Sequence, residues 1–122
     1  MPRNISFALT TDQIRNRTKT VTRRLGWKFL KVGDILNACV KCQGLKPGEK
    51  IERLGQIRVI DVRREALDSI TMELDGGYGE AVAEGFPAHT GEMFCEMFCQ
   101  HMNCDMETEV TRIEFEYVDP SD

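Results

Sequence analysis

At 122 residues the chain is long enough for one domain, 1–122, that buries a core without help from disulfides or metals. Its five irregularly spaced cysteines argue against a disulfide framework, and no apolar run reaches signal-peptide or membrane-span length, so a soluble cytoplasmic protein without membrane contact is expected. The net charge of −4 hides an asymmetry, eight Lys/Arg against Asp12 alone in the first 31 residues and eight against nineteen Asp/Glu thereafter, which argues for a confined anionic partner and against general coating of duplex nucleic acid.

Alternation over 4–9 predicts a first strand with Ile5, Phe7 and Leu9 inward. Thr10, Thr11 and Asp12 offer N-caps for a short helix reaching about Asn16. The run 17–24 follows, with four cations (Arg17, Lys19, Arg23, Arg24), three hydroxyls (Thr18, Thr20, Thr22) and one apolar side chain, Val21. Read as a strand over 19–24, it places Lys19, Val21 and Arg23 on one face and Thr20, Thr22 and Arg24 on the other. That much charge predicts a strand lining a cleft or rim, not one buried on both faces.

Gly26 and Trp27 break the pattern, 32–34 reads as a turn, 35–41 as a strand and 44–50 as a loop tip. A strand over 54–62, apolar at Ile57, Val59, Ile60 and Val62, is expected to be partly buried on both faces. One or two helical turns over 65–70 precede 74–83, where Gly76, Gly77 and Gly79 suggest flexibility more than a firm helix. The clearest helix runs from a Thr90 cap to Met102, with Glu92 in its first turn and Phe94, Met97, Phe98 and Met102 on one face. A last strand over 110–118 turns Ile113, Phe115 and Tyr117 inward and Arg112, Glu114 and Glu116 outward. The sum, about five strands and two or three peripheral helices without βαβ alternation, is an α+β, mainly β chain: a small, mostly antiparallel β-barrel.

Four features resemble the ASCH domain, a small barrel related to the PUA fold of RNA-binding proteins. A strand and short helix lead into Lys19-Thr20-Val21-Thr22-Arg23-Arg24. Leu30-Lys31-Val32-Gly33-Asp34 matches the family's hydrophobic-x-x-Gly-Asp turn. Glu84-Gly85-Phe86 precedes a helix carrying Phe94 and Phe98, and the closing strand ends in Ile113-Glu114-Phe115. Together they span Ile5 to Tyr117 and are similar to ASCH proteins of bacteria and phage genomes. Some small bacterial members are amidohydrolases that deacetylate acetylcytidine nucleosides with a Lys, a Thr three residues later and a distant Glu, which the resemblance maps onto Lys19, Thr22 and Glu84. Others are inferred to bind RNA, and one kind is linked to RNA cleavage. The chain departs from the short enzymatic members in a longer loop over 44–50 and an inserted segment before Glu84.

The residue chemistry is compatible with amide hydrolysis, which needs a nucleophile, a base and oxyanion stabilisation. Thr22 supplies a hydroxyl, a desolvated Lys19 a base, and Glu84 a group to orient Lys19 or relay a proton. On an ideal strand Lys19 and Thr22 face opposite sides, so a bulge or strand-end turn has to bring them together. Arg17, Thr20, Arg23, Arg24 and Trp27 are the candidate substrate or RNA contacts, with salt bridges as the structural alternative for Arg23 and Arg24 and a core plug as the alternative for Trp27. Cys39 and Cys42 have zinc-like spacing but lack a Gly-containing knuckle, and of the later cluster Cys95, Cys99, His101 and Cys104 the first two lie one helical turn apart near the apolar face, so neither metal nor cofactor is expected. The expected partner is a nucleoside or single-stranded RNA. Two readings stand: an N-acetylcytosine nucleoside amidohydrolase, or a non-catalytic RNA- or nucleotide-binding module.

Overall fold

Two long strands form the frame of the computed structural model, which describes residues 2–119. In chain order the elements are β1 (Arg3–Ser6), α1 (Thr11–Arg15), β2 (Val21–Arg24), β3 (Ile35–Cys39), β4 (Arg53–Ala66), α2 (Tyr78–Ala83), α3 (Gly91–Met102) and β5 (Glu109–Val118), with single 3₁₀ segments at Ala8–Thr10 and Leu67–Met72. β4 and β5 pair antiparallel from Gln56↔Val118 to Ala66↔Glu109. β3 adds to β4 and β2 to β5, both antiparallel, while β1 adds to β3 in parallel.

The sheet order β1-β3-β4-β5-β2 makes β1 and β2 its two edges. The sheet curls into a half-barrel, in line with the small barrel of about five strands expected, and a seam separates these two edges. A parallel pair needs a long crossover. Here the chain between β1 and β3 crosses to the far edge, lays down β2, and returns.

One apolar core joins Ile5, Phe7, Ile14, Leu36, Ile57, Val59, Ile113 and Phe115, and a second joins Leu67, Ile70, Ala81, Phe94, Phe98 and Val110 beneath α2 and α3. Burying each such side chain stabilises by about 1.5–3 kcal/mol, so the two cores account for most of the driving force. Leu9, expected inward, is 61% exposed because the strand stops at Ser6 and the 3₁₀ turn breaks the alternation. Ile60 is 41% exposed, because alternation from the buried Val59 turns it outward, and the register shift between Val59 and Asp61 returns Val62 to the inner face opposite Ile113. β4 extends four residues beyond the expected end at Val62, and a 3₁₀ segment replaces the helical turns foreseen over 65–70.

The glycine-rich stretch before Glu84 holds a helix where flexibility was expected. The Asp75 carboxylate accepts from the Gly77 and Gly79 backbone N–H groups at 2.9 and 2.8 Å and so satisfies the start of α2. Gly77 has φ +85°, and a Cβ there would stand 2.6 Å from Gly91 Cα and from Ile70 O, so this glycine lets two helix starts touch. α3 follows its sequence signature. Thr90 accepts from Met93 N–H at 3.1 Å, Phe94 and Phe98 are buried, Met102 is exposed, and Asn103 at φ 53° ends the helix.

Candidate functional site

The cationic run is shorter as a strand, and more buried, than its charge suggested. β2 begins at Val21, and Val21, Thr22 and Arg23 are all buried. The charge is tolerated because carboxylates far along the chain meet it inside the fold. Alternation holds within β2: Arg23 turns toward α2 and α3, and Thr22 and Arg24 turn toward β1.

Lys19 lies before the strand. Its N–H and that of Thr18 donate to Gln13 O at 3.3 and 2.9 Å, Tyr117 Oη donates to Lys19 O at 2.5 Å, and Thr20 N–H donates to Ala83 O at 2.8 Å. These bonds turn the Lys19 side chain inward, where it is 3% exposed. The strand-end turn that the three-residue spacing demanded is therefore present, and Lys19 and Thr22 line one cavity.

Glu84 is placed by the end of α2. Gly85, at φ +96°, and Phe86 donate to Val82 O and Ala81 O at 2.9 and 2.8 Å, a Schellman closure that only a left-handed residue completes without strain. A Cβ on Gly85 would lie 3.0 Å from Gln13 Cγ and 3.6 Å from Lys19 Cβ, so the glycine also admits Lys19 beside the helix end. The Glu-Gly-Phe triplet thus has a mechanical reason.

The resulting ion network alternates in sign. Lys19 Nζ donates to Glu84 Oε1 at 2.9 Å and to Glu84 O at 2.5 Å. Arg23 Nη1 donates to Glu84 Oε2 at 2.8 Å and Nη2 to Glu80 Oε1 at 2.6 Å. Arg112 closes the far end with bonds of 2.7 and 3.0 Å to the two Glu80 oxygens. Arg112, expected outward on β5, is buried by this pairing. Glu80 and Arg112 are members of this network that the sequence reading missed. The signal for Glu80 was its spacing of one helical turn from Glu84.

Burial shifts Lys19 below the ordinary lysine value, with Glu84 opposing and Arg24 and Arg23 reinforcing the decrease. Burial likewise takes Arg24 down to about 10. It also disfavours the charge on Arg23, yet Glu84 and Glu80 outweigh it and raise that group. The Arg112 hydrogen bonds, then those of Arg23, hold Glu80 down at about 2.

Arg24 spans the seam. Its Nε donates to Thr22 Oγ1 at 3.0 Å, its Nη2 donates to Ser6 O on β1 at 2.5 Å, and its guanidinium stacks 4.9 Å from the Phe7 ring. Beneath it lies a cavity of about 220 Å³ that takes in Lys19, Thr22, Arg23, Arg24 and Glu84. Phe7 from the seam and Phe86, Phe94, Met97 and Phe98 from the helical side form its apolar wall. This volume falls below the roughly 300–1,000 Å³ of pockets for drug-sized ligands, so it suits a single small ring or an acyl group. Arg23 Nε is buried without a partner among the described residues.

The other candidates lie elsewhere. Arg17, at φ 61°, is exposed, pairs with Asp119 at 2.9 Å and sits 5.3 Å from the Tyr117 ring. Thr20 is exposed and contributes its backbone. Trp27 packs partly on the first core and faces Phe29, outside the Lys19 cavity. Among the described residues no three His, Cys, Asp or Glu side chains cluster as a metal site, and no helix is long and apolar enough to cross a membrane.

No family model and no curated protein sequence matches this chain. Solved structures do. The hypothetical protein PH0355 is 17% identical with a TM-score of 0.63, covering 97% of this chain and 100% of that one. The DUF984 protein EF3133 of Enterococcus faecalis V583 is 16% identical with a TM-score of 0.60, covering 98% and 81%. An ASCH domain from Lactobacillus crispatus JV V101 is 13% identical with a TM-score of 0.61, covering 94% and 78%. At these identities the likeness is one of fold, and the chain has an ASCH-like fold of the small α+β, PUA-like kind.

Proposed function

We propose that the cavity is the active site of a small amidohydrolase that removes the acetyl group from an N-acetylated cytosine nucleoside. The observation that carries this reading is the convergence of Lys19, Thr22 and Glu84 on one small cavity, with burial drawing Lys19 toward its neutral form. Thr22 Oγ1 accepts from Arg24 Nε, so its own proton is free to leave and a cation stands beside the oxygen as it gains charge. Lys19, held by Glu84, is the base.

In the first step Thr22 Oγ1 attacks the acetyl carbon and its proton passes to Lys19. The carbon–nitrogen bond then breaks, and the exocyclic amine of cytosine takes that proton. Water, deprotonated in turn by Lys19, hydrolyses the Thr22 ester, frees acetate and restores the hydroxyl. The rival reading of the basic run as an RNA-contacting surface has less support, because Lys19, Thr22 and Arg23 are buried and carboxylates neutralise the two cations.

The test is to incubate the protein with acetylcytidine and follow loss of the acetylated chromophore, beside Lys19→Ala and Thr22→Val. Turnover in the parent that falls by at least about 10³-fold in both variants is the expected result. Turnover that survives Thr22→Val removes Thr22 as nucleophile and leaves hydrolysis to an activated water. No turnover by the parent rejects the proposal.

A further inference from the structure

One cation in the cavity lining stands without a counter-ion. Of the three Lys and Arg side chains there, Lys19 meets Glu84 at 2.9 Å, and Arg23 meets Glu84 and Glu80 at 2.8 and 2.6 Å. Arg24 has no carboxylate within salt-bridge distance among the described residues. Its bonds go to the Thr22 hydroxyl and the Ser6 carbonyl, and its guanidinium stacks on Phe7. Those neighbours satisfy donors but carry no charge, and Arg24 Nη1 makes no hydrogen bond among the described residues. Burial lowers Arg24 only to about 10, so it keeps its charge at neutral pH. A cation drawn out of water is stable beside an anion, and here the chain supplies none. We infer that the cavity binds a small monocarboxylate with an aromatic or short aliphatic tail, its carboxylate paired with Arg24. Such binding does not depend on hydrolysis in the cavity.

The rest of the lining fits the tail. Phe86, Phe94 and Phe98 form a continuous wall, with successive ring centroids 5.8 and 6.1 Å apart. A further ring packed edge-on or offset against such a wall gains more than its buried area alone provides. Leu9 and Met102, 61% and 43% exposed, carry the apolar lining out to the mouth. An apolar cavity of about 150 Å³ holds a benzene ring, so the space of about 220 Å³ here takes a ring together with its carboxylate.

The same lining disfavours other anions. A carboxylate brings one charge and a planar pair of oxygens to the guanidinium fork. Inorganic phosphate brings more than one charge to a single uncompensated cation, and it has no apolar surface to set against the wall.

The probe is para-fluorobenzoate, observed by fluorine NMR with the parent protein, beside para-fluorobenzamide as an uncharged ligand of the same shape. The acid is expected to bind with a dissociation constant of about 1 mM or tighter, and the amide about tenfold or more weakly. Butyrate displaces the acid, whereas phosphate at the same concentration does not. Arg24→Gln is expected to weaken binding of the acid about tenfold or more and to leave the amide unchanged. Should loss of the seam bonds unfold that variant, the comparison of acid with amide on the parent still decides. The inference is overturned if acid and amide bind alike, if phosphate displaces the acid as well as butyrate does, or if a folded Arg24→Gln protein keeps the parent's affinity. Carboxylate binding by a parent that does not turn over acetylcytidine supports this site and rejects hydrolysis alone. Turnover without carboxylate binding rejects the carboxylate site alone.

Discussion

Glu84→Gln probes the centre of the ion network with almost no change of shape. The carboxylate is 3% exposed and serves two buried cations, Lys19 at 2.9 Å and Arg23 at 2.8 Å. An amide keeps one acceptor but turns an N–H₂ toward one of these donors, so a buried charge loses its counter-ion. Stripping one partner from a buried ion pair destabilises by about 3–5 kcal/mol. Against the roughly 6–18 kcal/mol expected for a chain of this length, that is a large share, equivalent to a fall in Tm of roughly 12–20 °C. Arg23 keeps Glu80 at 2.6 Å, so the greater part of the loss falls on Lys19. The sign with pH follows. Lys19 already titrates below 10.5 in the folded chain, and without Glu84 it falls further, so the folded state binds fewer protons than the unfolded state up to that value. Stability of the variant therefore rises with pH, and its deficit narrows between neutrality and pH ~9. Urea unfolding at both pH values measures this. The double variant Lys19→Met/Glu84→Gln, which removes the stranded charge, is expected to be more stable than Glu84→Gln alone. A Glu84→Gln protein within about 1 kcal/mol of the parent at neutral pH would refute the reasoning, because it would mean that water, not Glu84, solvates Lys19.

Two further perturbations test the scaffold around the site. Glu80 is held at about 2 in the folded chain against an ordinary 4.5, so its contribution is present in full above about 4.5 and is lost as pH falls from there toward 2. The shift corresponds to ~3 kcal/mol, and Glu80→Gln is expected to flatten the acid limb of a stability–pH profile by that order; an unchanged limb would exclude the Arg23–Glu80–Arg112 linkage as its cause. Gly77→Ala forces a Cβ to within 2.6 Å of two backbone atoms at φ +85°, and a loss of more than about 3 kcal/mol in thermal unfolding is expected, whereas a neutral result would mean that α2 and α3 separate freely.

What was legible in the sequence divides along physical lines. Period-2 alternation in β5 and the capped apolar stripe of α3 are local signals, and both elements formed where those signals lay. α2 was not legible, because three glycines suggest flexibility until Asp75 and the Gly77–Gly91 contact are known to hold them. The parallel pairing of β1 with β3 was equally hidden. It depends on the chain visiting the opposite sheet edge in between, which no local pattern records.

The site shows the same divide more sharply. Residue chemistry and family resemblance singled out Lys19, Thr22 and Glu84, but strand geometry set the first two on opposite faces. The conflict disappears once β2 is seen to begin at Val21, leaving Lys19 on a turn pinned by Gln13, Ala83 and Tyr117. Charge density also misled, because cations in a run suggest solvent. Here their partners lie 61 and 65 positions away, and the pairing that permits burial is a tertiary fact. Buried ion networks give little net stability over apolar residues of similar volume. Their presence where the sheet fails to close, against a cavity that Thr22 also lines, therefore needs a reason other than stability. On the proposed hydrolase reading, a lysine kept desolvated and aimed by a carboxylate supplies one, since the burial that makes the network costly is also what brings Lys19 toward the neutral form a base requires.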